Sequence, residues 1–267
     1  MGVPLESRVD AMTHVTIKIE CRNVAKIFKQ RGGKVQIPVL DSISLSVVEN
    51  EFLAIVGPGQ CGKSTLLRII GGLETPTTGN VLLDSKEVTG PGPDRAMVFQ
   101  KYTLFPWKTV MGNVEMGLKL GGMAKKKRRE IAGHYINLVG LQGFEKAFPH
   151  QLSGGMKQRV GIARAYANDP KVLLLDEPFG QLDAQTRYLM EQETARIWSA
   201  EKKTVVFVTN NIEEAVYLAD RIVTLEGKLP GRMKSSYVVD LPRPREHIDK
   251  KFLKLRHIIT QETELLL

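Results

Sequence analysis

Residues 57–65 read Gly57, Pro58, Gly59, Gln60, Cys61, Gly62, Lys63, Ser64, Thr65, and this run decides the fold. It matches the spacing of a phosphate-binding loop: glycine, four residues, glycine, lysine, serine. Its flanks suit that reading. The apolar run from Glu51 to Val56 predicts a buried strand, and Leu66 to Ile70 is apolar at helical spacing up to a stop at Gly71 and Gly72. A strand, a glycine-rich turn and a helix gather backbone N–H groups and the positive end of a helix around one anion. Lys63 adds a mobile charge for terminal phosphates, and the Ser64 hydroxyl is a candidate Mg²⁺ ligand. The competing reading is an ordinary glycine-rich turn between strand and helix.

The next informative run is Val172 to Glu177 (VLLLDE), an uninterrupted apolar strand ending in two carboxylates. Such a run suits a parallel strand covered on both faces, and ligands collect at the carboxyl ends of such strands. Asp176 is the candidate to hold Mg²⁺ and Glu177 the candidate to polarise an attacking water. Two acids after a strand also make a helix cap or a solvated turn. The phosphate-loop pattern about 110 residues upstream favours the catalytic reading.

Leu152 to Arg159 reads LSGGMKQR. Ser153, Gly154 and Gly155 open a predicted helix from about Met156 to Asn168, whose N-terminus is a second candidate anion site. This run resembles the signature sequence of ABC-type ATPases, and with the two other motifs in order the resemblance covers residues 16 to about 245. It implies an α/β fold: a P-loop ABC-type nucleotide-binding domain with a RecA-like core, an antiparallel β subdomain and a helical subdomain at about 101–165. Residues 246–267 are expected to form a C-terminal helix through Phe252, Leu255 and Ile258.

The resemblance also implies an ATPase that binds ATP and Mg²⁺. Two nucleotides would be sandwiched between two such subunits, with Ser153, Gly154 and Gly155 of one chain meeting the γ-phosphate held by the other. Gln100 looks like the glutamine that touches Mg²⁺ and water while sensing a membrane partner. Phe28 lies where an aromatic ring usually stacks on adenine; a core phenylalanine is the alternative. Leu182 and Asp183 match the loop through which the subunits communicate. The strings at 103–110 (TLFPWKTV), 149–153 (PHQLS), 230–232 (PGR) and 240–245 (DLPRPR) resemble the importer branch for nitrate, sulfonates, taurine and bicarbonate. The implied partners are a second ATPase subunit, identical or homologous, transmembrane permease subunits and, through them, a solute-binding protein. Exposed aromatics at 102–107 would suit a socket for a permease helix, or belong to the subdomain core.

The chain departs from the family pattern at three places. Asn210 and Asn211 stand where histidine and aspartate are usual. Asn210 can donate a hydrogen bond to a γ-phosphate but cannot take a proton near neutral pH. Asn211, with Glu214 three residues on, makes an N-cap pair. Gly59 and Gln60 replace serine and glycine inside the phosphate loop, where a non-glycine residue meets a backbone penalty of ~1–2 kcal/mol. Gln181 replaces a small residue before Leu182. These changes raise a second reading, a regulatory or degenerate subunit that hydrolyses slowly beside an intact partner. A soluble ABC protein acting on DNA or ribosomes is a third class, disfavoured by the single signature and the lack of a large insert.

At 267 residues the chain can bury a sizeable core. Its 42% hydrophobic and 25% charged residues are ordinary for a globular protein. No apolar run approaches the ~20 residues that cross a bilayer, and Met1 to Ala11 lacks an export profile, so the chain is expected to stay in the cytosol; the resemblance implies a peripheral place on the cytoplasmic face of the membrane. The net charge of +9 admits anionic partners. Yet basic and aromatic residues do not interleave, and no nucleic-acid partner is expected. The run Lys125 to Arg129 reads as a solvated helix start. Cys21 and Cys61 give no disulfide framework. Cys61, beside Lys63 and a helix N-terminus, is expected to favour thiolate. The N-terminal dozen residues are expected to be loose.

Overall fold

The computed structural model describes residues 16–29 and 35–263; the N-terminal dozen and the basic glycine turn at 30–34 lie outside these. Two sheets organise the chain. The first is antiparallel, with order β2-β1-β4-β5: β1 (Ile17–Lys29), β2 (Gln36–Val48), β4 (Thr78–Leu83) and β5 (Lys86–Glu87). The second has order β10-β9-β3-β8-β7-β6: β3 (Phe52–Val56), β6 (Arg95–Val98), β7 (Val172–Asp176), β8 (Thr204–Thr209), β9 (Arg221–Glu226) and β10 (Arg232–Val238). Its strands run parallel except β10, which pairs antiparallel with β9.

Every residue of β3, β7 and β8 is buried, because apolar layers cover both faces. Leu53, Ile55, Leu174, Val206 and Val208 pack with α1 (Lys63–Ile70) and the antiparallel sheet. Their alternates Phe52, Ala54, Leu173, Leu175 and Phe207 face helices. Strand alternation thus explains why these runs are apolar throughout. On the helical side Phe52 packs edge-on against Trp198 at 5.7 Å between ring centroids.

Residues 101–165 are mostly helical. They carry α2 (Val110–Val114), α3 (Met116–Leu120), α4 (Lys125–Leu138) and the start of α5 (Gly154–Ala167). Helix α5 begins at Gly154, two residues earlier than expected, because the Ser153 side chain accepts from Met156 N and closes the first turn. Lys125, Lys126 and Lys127 are exposed, whereas Arg128 donates to Glu115 Oε2 at 3.0 Å and fastens α4 to the start of α3.

Helices α6 (Ala184–Glu201), α7 (Ile212–Leu218) and α8 (Lys250–Thr263) complete the cover of the large sheet. In α8 the buried residues are Phe252, Ile259 and Thr263, and Ile258 is exposed. The expected stripe through Ile258 is therefore corrected. Its three-residue steps drift off a 3.6-residue face, while 252, 259 and 263 stay on it.

The parallel strands position the site. Val56 pairs with Thr209, Asp176 with Val208, and Leu175 with Val98. Along one carboxyl edge lie, in order, the phosphate loop after β3, Asn210 after β8, Asp176 and Glu177 at the end of β7, and Gln100 just beyond β6.

Candidate functional site

The loop 57–65 is built by backbone constraints at a few points. Gly62 has φ of +93°, and a Cβ there would come within 2.8 Å of Val39 O, so glycine is required. Gln60 itself takes φ of +67°, while Gly59 beside it has open space and an ordinary φ. Gly59 therefore does not take over the left-handed position, and the strain falls on Gln60. Helix α1 has no side-chain cap, which leaves its first N–H groups, at Lys63, Ser64 and Thr65, free to meet an anion.

The charged groups converge on this loop. The Lys63 ammonium is buried and donates to Gly57 O at 2.8 Å and Pro58 O at 2.9 Å. It lies 3.9 Å from Glu177 Oε1. Ser64 Oγ donates to Asp176 Oδ1 at 2.7 Å. Gln100 Nε2 donates to Glu177 Oε2 at 3.1 Å. Burial pushes the Glu177 carboxyl above its ordinary range; Lys63 opposes this and Asp176 adds to it. A carboxylate so placed holds a proton more readily than an exposed one. Glu177 also takes φ of +42°, an uncommon angle that aims it away from the strand line.

Asn210 is exposed at the end of β8. Asn211 caps α7, its side chain accepting from Glu213 N at 2.8 Å and Glu214 N at 3.4 Å. The expected reciprocal bond from Glu214 is absent. Thr209 stands between them, accepting from Asn211 N at 3.0 Å and donating to Glu214 Oε2 at 2.6 Å. Thr209 was not singled out in the sequence, since one more threonine in an apolar strand carries no local signal.

Ser153, Gly154 and Gly155 lie elsewhere. A Cβ on Gly154 would meet Tyr102 Oη at 2.9 Å, and one on Gly155 would meet Thr186. Gln181 is exposed beside Leu182, and Asp183 caps α6 by accepting from Thr186 N at 3.0 Å. Phe28 is 37% exposed near the end of β1, with Lys26 Nζ 4.8 Å above its ring, so it is no core residue.

Cys61 overturns an expectation. Its side chain is fully buried, and burial pushes the thiol up despite the opposing pull of Lys63 and nearby N–H groups. Desolvation by the core outweighs the electropositive loop. Cys21 is also buried and pushed to about 12. The Cys61 N–H remains part of the loop, but its thiol is no activated nucleophile. Gly231 was passed over as a constraint on this loop: a Cβ there would collide with Cys61 O. The glycine between Pro230 and Arg232 was the available signal, since close backbone approach requires it.

The residues present fit a hard divalent cation. Ser64 and Asp176 offer hydroxyl and carboxylate oxygens, and the described residues contain no cluster of three or more His, Cys, Asp or Glu. A site with so few protein oxygens suits Mg²⁺ completed by water and phosphate. Next to the helical subdomain is a groove of about 620 Å³ lined by Met97, Phe105, Leu118, Leu120, Met123 and Arg164. Trp107 is 71% exposed, with its ring 5.8 Å from that of Phe105. No described helix is long and apolar enough to cross a membrane.

Comparison with known proteins agrees with this architecture. The ABC transporter family profile matches residues 40–180. An uncharacterised ABC transporter ATP-binding protein of Methanocaldococcus jannaschii is 54% identical over 251 residues, 94% of this chain and 93% of that protein. A nitrate import ATP-binding protein of Synechocystis is 44% identical over 238 residues, 89% of this chain and 88% of that one. An aliphatic sulfonates import ATP-binding protein of Bacillus cereus is 40% identical over 246 residues, 92% and 96% of the two chains. Among solved structures, a dimeric ATP-binding cassette in a post-hydrolysis state with ADP and Pi superposes with a TM-score of 0.73 at 34% identity. It covers 84% of this chain and all of that one. The chain belongs to the ABC transporter family, as one of its ATPase subunits.

Proposed function

We propose that this subunit uses Mg·ATP to drive an importer of small anions or organic solutes, of the nitrate, sulfonate, taurine and bicarbonate type. The observation that carries this reading is the convergence of Lys63, Ser64, Asp176, Glu177 and Gln100 at one sheet edge. The names of the Synechocystis and Bacillus relatives support the importer branch. In this reading the N–H groups of 57–65 and Lys63 hold the phosphates. Ser64, Asp176 and Gln100 would hold Mg²⁺, which would supply positive charge against the terminal phosphates. Glu177, oriented by Gln100, takes a proton from the attacking water. Asn210 donates a hydrogen bond to the γ-phosphate. Phe28 offers its exposed ring to adenine.

Two subunits close on ATP, and Ser153, Gly154 and Gly155 of one complete the site of the other. The groove beside Phe105 and Leu118 takes a helix of a permease subunit, which keeps this chain on the cytoplasmic face of the membrane, and a solute-binding protein feeds that permease. The test is phosphate release by the chain with and without its permease, alongside Glu177→Gln. Loss of hydrolysis with ATP binding kept supports the assignment; undiminished hydrolysis by Glu177→Gln refutes it.

Asn210 and the strained Gln60 favour a second reading, in which this chain binds ATP, hydrolyses it slowly and works beside a faster homologue.

A further inference from the structure

Helix α7 is seven residues long, too short to be stable in water alone. The carbonyls of its last turn have no partner within the helix. Those of Val216, Tyr217, Leu218 and Ala219 belong to buried residues, where water cannot serve them. Two arginines of the 240–245 stretch supply the missing donors. Arg245 Nη1 donates to Val216 O at 2.8 Å, Tyr217 O at 3.1 Å and Ala219 O at 2.7 Å. Arg243 Nη2 donates to Leu218 O at 2.5 Å.

Both guanidinium groups sit at the negative end of the helix dipole. Burial lowers Arg245 only to about 10, so it stays charged at neutral pH. Its Nε turns back to Leu241 O at 3.2 Å and holds the segment's own bend. Arg243 Nη1 reaches Asp220 Oδ1 at 2.5 Å, and Asp220 Oδ2 accepts from Phe52 N at 2.9 Å. Phe52 opens β3, which leads into the phosphate loop. The other end of α7 is Asn211, with Asn210 immediately before it. The arginine clasp and Asn210 thus stand at opposite ends of one short helix.

We infer that Arg245, supported by Arg243, is a positioning residue for hydrolysis: by clamping the C-terminal end of α7 it fixes where Asn210 stands relative to the phosphate loop. The inference rests on ATP hydrolysis at this site. It gives the 240–245 stretch a role beyond marking a branch of the family. A purely structural arginine would lower folding stability and leave the turnover of the folded protein alone. A positioning arginine lowers turnover in protein that is folded and still binds ATP.

The experiment compares the full chain with Arg245→Met and Arg245→Lys. For Arg245→Met the expected result is a fall in kcat on the order of 10- to 100-fold, as for a misplaced reacting group. Affinity for fluorescent ATP should change by less than about twofold, because the loop N–H groups and Lys63 still hold the phosphates, while the hydrogen bond from Asn210 counts mainly as charge builds on the γ-phosphate in the transition state. Arg245→Lys, which keeps the charge and part of the carbonyl bonding, should recover part of kcat. Hydrogen exchange at Ala215 to Ala219 should speed up roughly tenfold or more in Arg245→Met while the strand amides of β3 and β7 hold. Unchanged kcat in folded Arg245→Met overturns the inference, as does a parallel loss of ATP affinity and kcat. If Arg245→Met does not fold, Arg243→Gln is read by the same criteria. Should the starting protein not hydrolyse ATP, the hydrolytic assignment fails on its own. Unchanged exchange at Ala215 to Ala219 then rejects the clasp, and faster exchange confined to α7 retains it.

Discussion

Ser64 and Asp176, 112 residues apart in the chain, meet through a 2.7 Å hydrogen bond at the carboxyl edge of the parallel sheet. The hydroxyl comes from the first turn of α1 and the carboxylate from the last residue of β7, so the pair ties the phosphate loop to the carboxylates at the end of β7. Both oxygens are carried on regular elements rather than on a surface loop.

That pairing predicts Ser64→Ala and Asp176→Asn to weaken Mg²⁺-dependent ATP binding. A hydrogen bond or ligand to a charged group is worth ~1.5–3 kcal/mol, roughly 10- to 100-fold in affinity. Nucleotide titrations at varied Mg²⁺ measure it. If both variants needed no more Mg²⁺ than the starting protein, the pair would have no part in holding the cation.

Gln60 offers a test of stored backbone strain. Its φ of +67° costs a non-glycine residue ~1–2 kcal/mol, and glycine gives back ~0.5–1 kcal/mol through its freer unfolded chain. Gln60→Gly should therefore raise stability in urea by up to about 1 kcal/mol and tighten ATP binding. A less stable variant would mean that the Gln60 side chain contributes more than its backbone angle takes away.

These features differ in how far they could be read from the sequence. The phosphate loop, the strand ending at Asp176 and Glu177, and the Ser153 cap are each written in fewer than ten consecutive residues, and all fall where local pattern puts them. The Thr209–Glu214 bond and the Cys61 thiol depend on burial, which neighbours in sequence do not reveal. Lys63 two residues away suggested an activated cysteine; the core around Cys61 decides otherwise. Gly231 and Arg245 are constrained by atoms 170 and 29 residues away, and no periodicity encodes such distances. The 240–245 string was recognisable only as a likeness, and its physical content came from the carbonyls it meets.

Glu191 carries a pH dependence. It is buried on α6, and desolvation, with Glu214 and Glu213 adding and Arg187 opposing, pushes its carboxyl to about 8. Its Oε2 lies 3.3 Å from Nε2 of His247, which burial keeps neutral. Apart from that contact neither atom has a hydrogen-bond partner; a proton on Glu191, donated to Nε2, satisfies both. A raised folded pKa means that the folded protein holds a proton the unfolded chain releases. Its contribution to stability is whole below the ordinary carboxylate range and is lost as pH climbs through about 8. Glu191→Gln should remove up to about 1.4 kcal/mol per pH unit of that decline between pH 6.5 and 8. Urea unfolding at several pH values reads the slopes; parallel curves for both proteins would show that Glu191 does not titrate there.

Asn210 decides between a working hydrolase and a slowed one. It stands exposed at the end of β8, between the phosphate loop and Glu177 along the sheet edge, where its amide N–H groups can donate hydrogen bonds but the side chain cannot take up a proton near neutral pH. Asn210→His places an imidazole there, able to meet the γ-phosphate and to handle a proton near neutral pH. One missing transition-state stabiliser typically lowers turnover ~10²–10³-fold. The gain from the substitution should be smaller, because Asn210 already offers a hydrogen bond there and Gln60 still strains the phosphate loop. The thiol of Cys61 has no bearing on this comparison, being buried and protonated. Steady-state phosphate release by the starting protein, Asn210→His and Glu177→Gln, each with the permease present, measures the effect. A several-fold rise for the histidine variant, abolished by adding Glu177→Gln, supports a slowed site. A starting protein with fast turnover that does not respond to histidine would show that asparagine substitutes fully, and the slow-subunit reading would then be abandoned.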